Sequence, residues 1–235
     1  YKPKDFDVVT NARPNQVRNL FRRARVIGRR FRLVHVLIGR SLVEVSTYRA
    51  LPNYAVDKKR IHTERNSIIE DNVFGTRRSD AARRDFSINA LYYDPIKNTL
   101  IDYVGGVADV EKRFLRMIGN PEARFREDPV RMLRAMRFVA RLDLIMDTQI
   151  TSVMPSCAVL LGHLPPARLL DEVIKVFHCG HSSFAFEQLQ KFKIFSELFP
   201  ESIQSYTSKD LDPDCGLLAL AFQSTDQRIR DNKPL

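Results

Sequence analysis

Residues 31–48 constrain the fold more than any other stretch of this chain. Two runs, 31–38 and 42–48, flank Gly39-Arg40-Ser41, and along each the side chains alternate in character. A period of two puts successive side chains on opposite faces of an extended strand, so the pattern predicts an antiparallel hairpin. In the second run Leu42, Glu44, Ser46 and Tyr48 share one face, opposite Val43, Val45 and Thr47. A short strand is predicted upstream over 4–10 (KDFDVVT), closed by the turn-prone Asn11. Pro14 then opens a helix in which Val17, Leu20, Phe21 and Ala24 recur at i, i+3, i+4 and i+7.

Beyond the hairpin, residues 50–78 are polar, rich in both charges and weakly periodic, and read as a long mobile connection. A helix is predicted over 79–93, a strand over 99–104, and another over 115–118 that Gly119-Asn120-Pro121 ends. From there the character changes. Residues 127–144, 147–162, 166–179 and 183–193 read as successive helices with short Pro/Gly breaks. The expected class is α+β: a mixed sheet with helices, then an all-helical part, with a boundary near 120.

Charge narrows the function. Of 38 basic residues 27 are arginine, and residues 1–150 hold 30 basic against 18 acidic, while 151–235 hold 8 against 10. An Arg-dominated excess confined to one part favours contacts to phosphates and base edges over general solubility. With 44% apolar residues the chain can bury a core. No apolar run approaches the roughly 18 residues that a membrane-spanning helix needs. Three widely spaced cysteines, Cys157, Cys179 and Cys215, point to a reducing compartment, hence a cytoplasmic protein, and not to a disulfide framework. His178-Cys179-Gly180-His181 lacks a second ligand pair at zinc spacing and reads better as a helix closing at Gly180.

Three clusters carry chemistry. Asp5 and Asp7 flank Phe6 on the first strand, which sets both carboxylates on one face about 6–7 Å apart, a donor set for a hard divalent cation such as Mg²⁺. Alone, D-x-D is weak, because most such pairs are solvated edge residues. If the 42–48 strand pairs beside the first, Glu44 joins the two. Next, Asp85 and Asn89 lie one helical turn apart beside Arg83 and Arg84, an arrangement suited to a ribose and phosphates and equally to a capped surface helix. Finally, Asp128 and Arg131 are spaced i, i+3 in EDPVRMLRAMRF. A fixed acceptor and donor side by side would accept the adenine or cytosine edge and reject guanine and uracil, since each wrong contact leaves a buried polar group unpaired. The plain alternative is a surface ion pair, of about 0.3–0.5 kcal/mol.

KDFDVVTNA, VEVSTYR, RRDFSINAL, DYVGG and EDPVRMLRAMRF, in that order, closely resemble the class II template-independent RNA nucleotidyltransferases, the family of bacterial poly(A) polymerases and CCA-adding enzymes. The resemblance runs from Tyr1 to about Val176, including PPARLLDEV, and weakens beyond. It implies a polymerase-β-like nucleotidyltransferase head over 1–119, a nucleobase-binding helical neck over 120–180 and the start of a helical body over 181–235. By the same resemblance Asp5 and Asp7 hold catalytic Mg²⁺ in a two-metal mechanism and Glu44 is the third acid. Arg84, Asp85 and Asn89 bind the ribose and phosphates of the incoming nucleotide. Asp102, Gly105 and Gly106 match an element that couples closing to base selection. Asp128, Arg131 and Arg134 match the protein-based template that reads the base, and Arg168 and Glu172 match a motif that supports the neck helix. The family's Gly-rich loop, upstream of KPKDFD, is not in this sequence, which starts at Tyr1 and is expected to be a piece of a longer chain.

VIGRRFRLVHV at 26–36 resembles the stretch typical of bacterial poly(A) polymerases, where CCA-adding enzymes more often show a Gly-hydroxyl turn. The expected activity is therefore transfer of AMP from ATP to an RNA 3′ end. The alternatives are a CCA-adding tRNA nucleotidyltransferase, distinguished by CTP use, and a catalytically silent RNA-binding protein that keeps the fold. His35 receives no role from the sequence.

Overall fold

The computed structural model describes residues 7–28, 32–50, 73–205, 212 and 216–234. The chain divides into two compact units, Tyr1–Arg84 and Asp85–Leu235. In the first, the elements are β1 (Asp7–Thr10), α1 (Pro14–Leu20), β2 (Ala24–Ile27), β3 (Leu33–Ile38), β4 (Ser41–Thr47) and α2 (Arg77–Arg83). Among the described residues the four strands form one sheet in the order β1-β4-β3-β2. The predicted hairpin is present: β3 and β4 pair antiparallel from Leu33↔Ser46 to Ile38↔Ser41. Its connection is tighter than the sequence suggested. Gly39 and Arg40 alone make the turn, and Gly39 takes φ +62°, a left-handed conformation that costs glycine nothing.

β1 lies parallel to β4, so the sheet is mixed. One face packs Val34, Val36 and Val45 with Val17 of α1, while Ala24, Val26 and Val43 border this core. The alternation therefore works as expected, with valines inward and Glu44 outward. The helix from Pro14 is shorter than its periodicity implied. It stops at Leu20, which is 76% exposed, and Ala24 instead begins β2, a strand that the helical reading absorbed. Three arginines within four residues (Arg22, Arg23 and Arg25) interrupt the apolar stripe, so no buried face remains to hold a further turn. Thr76 caps α2 by accepting from the Ser79 amide at 3.2 Å. Buried Asp80 accepts from the Arg49 amide at 3.1 Å and ties that helix to the chain leaving β4. The connection expected to be mobile falls, over 51–72, outside the described residues, as does Asp5.

The second unit opens with a 3₁₀ turn (Ser87–Asn89) and the hairpin β5 (Leu91–Asp94) with β6 (Thr99–Asp102). Then come α3 (Gly106–Glu111), β7 (Phe114–Leu115), α4 (Pro121–Glu127), α5 (Val130–Leu142) and β8 (Ile145–Met146), which pairs with β7. The helices α6 (Thr148–Cys157), α7 (Pro166–Phe177), α8 (Ser182–Lys191), α9 (Ile194–Leu198), α10 (Pro200–Ser205) and α11 (Leu217–Arg230) follow. The helix expected over 79–93 is replaced by α2, the 3₁₀ turn and β5. The break falls at Arg84-Asp85-Phe86, whose backbone is extended at Arg84 and Phe86.

Packing explains why the compact units divide before Asp85 although the helical character begins near 120. Phe86, Leu115 and Met117 are buried in one cluster with Phe125, Met132, Leu133 and Met136 of α4 and α5. Phe86 meets Phe138 edge to face at 5.8 Å. Farther along, Gly180 takes φ +85° just after α7, the helix closure that HCGH suggested. Cys157 and Cys179 are free thiols, and burial pushes both up from the ordinary thiol pKa. No helix is long and apolar enough to cross a membrane, among the described residues.

Candidate active site

The first unit carries an acidic pair. Because β1 runs parallel beside β4, Asp7 and Glu44 are register partners, as are Val8 and Val45. Partners in register point to the same side of a sheet, so both carboxylates stand on the face opposite the valine core. His35 is the register partner of Glu44 on the other side, and Arg25 that of His35. A row of Asp7, Glu44, His35 and Arg25 thus crosses all four strands on one face. Within it, His35 Nε2 lies 3.1 Å from Glu44 Oε1, close enough to donate to it. Glu44 Oε2 has no partner among the described residues, and the side chain is half exposed. Asp7 and Glu44 are hard oxygen donors of the kind that hold Mg²⁺. The sequence missed the His35 contact, although its position opposite Glu44 follows from the hairpin register once the turn is known to hold two residues.

The second unit carries a network of carboxylates and guanidiniums. Asp85 is 9% exposed; its Oδ1 accepts from the Phe86 amide at 2.8 Å and from Asn89 Nδ2 at 3.0 Å, and its Oδ2 from Arg134 Nε at 2.6 Å. Burial works to raise its pKa, but the Arg134 charge and these hydrogen bonds outweigh it and hold the carboxyl below the usual range. Asp85 and Asn89 therefore meet as expected, though through a 3₁₀ turn and not along an α-helix. Arg84, at the end of the first unit, pairs with Asp80 at 3.3 Å.

Asp128 and Arg131 do not pair with each other. Asp128 ends α4 with extended backbone (φ −150°, ψ 93°), which takes it off the helical lattice that the i, i+3 spacing assumed. Its Oδ1 instead accepts from Arg168 Nη2 at 2.8 Å. Arg131 Nη1 donates to Glu127 Oε2 at 2.8 Å and to the Arg124 carbonyl at 2.7 Å. Each nevertheless keeps one end open: Asp128 Oδ2 and Arg131 Nη2 have no partner among the described residues. Glu127 was not singled out in the sequence; it lies four residues before Arg131 but on the other side of the break at Asp128, so helical spacing does not find it. Arg168 was read as support for the helix; it engages a base-reading candidate directly. Glu172 is buried, 2.8 Å from Lys175 and 3.6 Å from Arg137. Asp102 holds the turn before α3, accepting from the amides of Val104, Gly105 and Val107 at 2.9–3.0 Å. Gly105 stands at φ +82°, and an added Cβ on Gly106 would collide with the Ser87 carbonyl.

Known proteins similar to this chain include poly(A) polymerases and CCA-adding enzymes. The poly A polymerase head domain matches residues 1–116, and the probable RNA and SrmB-binding site of polymerase A matches residues 143–204. Poly(A) polymerase I of Salmonella typhi is 44% identical over 98% of this chain and 50% of its own length. This chain belongs to the family of poly(A) polymerases and CCA-adding enzymes. A CCA-adding enzyme of Bacillus velezensis is 34% identical over 83% of this chain and 47% of its own length. The crystal structure of the Bacillus stearothermophilus CCA-adding enzyme in complex with CTP matches with a TM-score of 0.71 at 28% identity, covering 83% of this chain and 45% of that one. The α+β, polymerase-β-like nucleotidyltransferase architecture agrees with these relatives. The chain spans about half the length of the curated relatives it matches.

Proposed function

We propose that this chain carries the catalytic part of a template-independent, cytoplasmic poly(A) polymerase, which transfers AMP from ATP to RNA 3′ ends and releases pyrophosphate. The observation that carries the reading is the in-register pairing of Asp7 with Glu44 on one open sheet face, in a chain of nucleotidyltransferase relatives. Asp7 and, two residues before it in the sequence, Asp5 would hold Mg²⁺. When bound, Mg²⁺ would polarise the transferred phosphoryl group, ease loss of the 3′-hydroxyl proton and neutralise the leaving pyrophosphate. Glu44 has one oxygen steadied by His35 and the other open; that open oxygen orients the RNA 3′-hydroxyl and assists its deprotonation. Arg84, Asp85 and Asn89 hold the ribose and phosphates. Asp128 accepts from the adenine N6 amino group and Arg131 donates to N1, while Arg134, read from the sequence as part of the same base-reading set, holds Asp85 at 2.6 Å. Catalysis is mostly positioning and charge stabilisation.

The CCA-adding reading draws support from the CTP-bound relative and from the Asp/Arg edge, which suits cytosine as well as adenine. The identity of 44% to a poly(A) polymerase against 34% to a CCA-adding enzyme, together with residues 26–36, favours adenylate addition. The test uses the full-length protein that contains this chain, with Mg²⁺, ATP and RNA. Asp7→Asn and Glu44→Gln should each abolish or cut incorporation by at least about a hundredfold while RNA affinity persists. A wild-type protein that binds RNA and incorporates nothing would leave only the silent RNA-binding module.

A further inference from the structure

Most arginines of the second unit that line its network face a carboxylate: Arg116 faces Asp109, Arg131 Glu127, Arg134 Asp85 and Arg168 Asp128. The corner between α1 and β2 is built differently. Arg18, Arg22, Arg23 and Arg25 are exposed, and none has a carboxylate partner among the described residues. They line two adjoining open depressions, of about 620 and 550 Å³, that share Phe21 and Arg22. Phe21 is 43% exposed, and Leu37 beside it 40%. Four uncompensated guanidiniums around a solvent-facing ring repel one another in the free protein, and a polyanion with a flat apolar face relieves both features. Single-stranded RNA has that chemistry: bases stack on an aromatic side chain while arginines track the backbone.

We propose that this corner is a second RNA-strand site, separate from the one at the acidic pair, in which Phe21 stacks on a base and the four arginines hold phosphates. β2 is three strands from β1 and two from β4, on the order of 14 Å from Asp7 and 10 Å from Glu44 at normal strand spacing, with Arg25 the one arginine of the four on the row of the acidic pair. The site therefore receives RNA upstream of the reacting end. A free nucleoside triphosphate shares the chemistry, but the arginines are spread over two depressions, which fits a strand better than one nucleotide. The inference rests on the RNA reading above for its ligand and not for catalysis.

The test measures binding of the full-length protein to an unstructured oligoadenylate across 50–300 mM salt, without ATP. Arg18→Glu combined with Arg22→Glu removes two phosphate contacts and should weaken binding at least tenfold, flattening the slope of log K against log salt by about 1.4. Phe21→Ala should weaken binding at least about fivefold and leave the slope unchanged. All three positions are exposed, so folding, checked by circular dichroism, is retained. Arg113→Glu, an exposed position in the second unit, serves as the charge control and should change affinity less than threefold. The proposal is overturned if the double variant matches the control, if ATP displaces the RNA from this corner as readily as a second oligonucleotide, or if only an acidic protein protects it from chemical modification. A wild type that polymerises nothing but shows these slope changes would sink the polymerase reading and keep this site.

Discussion

His35 is the residue whose role emerged only when the strands were paired. With its ring 3.1 Å from Glu44, it restrains the carboxylate on the side away from Asp7. His35→Leu should lower kcat roughly tenfold with little change in KM for ATP, the size of one hydrogen bond to a charged group. His35→Gln, which can still donate, should recover most of the loss; an unchanged kcat in the leucine variant would remove His35 from the account. The acids themselves were legible in the sequence, because period-two alternation assigns faces without knowledge of the fold. Their neighbours were not. Which residue stands opposite Glu44 depends on a turn of two residues instead of three, and a shift of one flips every side chain. The base-reading pair shows the converse: Asp128 and Arg131 were found by type and spacing, yet their partners Arg168 and Glu127 depend on the helix break at Asp128. Arg168→Ala should raise KM for ATP several-fold while costing under about 1 kcal/mol of stability, since the ion pair is half exposed.

At the scale of elements, two joints bear on function and stability. The turn from β6 into α3 hangs on Asp102 and requires Gly106 against the Ser87 carbonyl, so Gly106→Ala should destabilise the second unit by about 2 kcal/mol in a denaturant melt. A neutral effect would show that the turn relaxes freely. The other joint ties α11 to α8. Buried Asp226 accepts from the amides and hydroxyls of Ser182 and Ser183 at 2.6–3.1 Å. Burial works to raise its pKa, and these four hydrogen bonds prevail and lower it. A folded-state pKa below the unfolded value means stability that is full above about pH 4 and is lost as pH falls through the lowered pKa. Asp226→Asn should therefore cost about 2 kcal/mol near neutrality and progressively less in acid. The sequence read α7 and α8 well because long amphipathic stretches with Pro and Gly punctuation decide themselves locally. It over-extended the helix across Asp85, where burial of Phe86 against α4 and α5, a tertiary effect, overrides helical propensity.

For the whole molecule, the arginines of residues 1–150 that are among the described residues include paired ones that build the network and others, such as Arg18, Arg22, Arg23 and Arg25, that face solvent with no carboxylate partner there, a distinction that composition cannot make. Activity on RNA should accordingly fall as salt rises from 50 to 300 mM, measured as kcat/KM for an unstructured primer; a flat profile would argue against backbone contacts as the source of affinity. The central claim, adenylate addition without a template, is tested most directly by giving the full-length protein and Mg²⁺ either ATP or CTP, on an unstructured RNA or on a tRNA lacking its terminal CCA. Long A-tails on the unstructured RNA and no incorporation from CTP are the expected result. Addition of C and then A to the tRNA, stopping after three nucleotides, would contradict it.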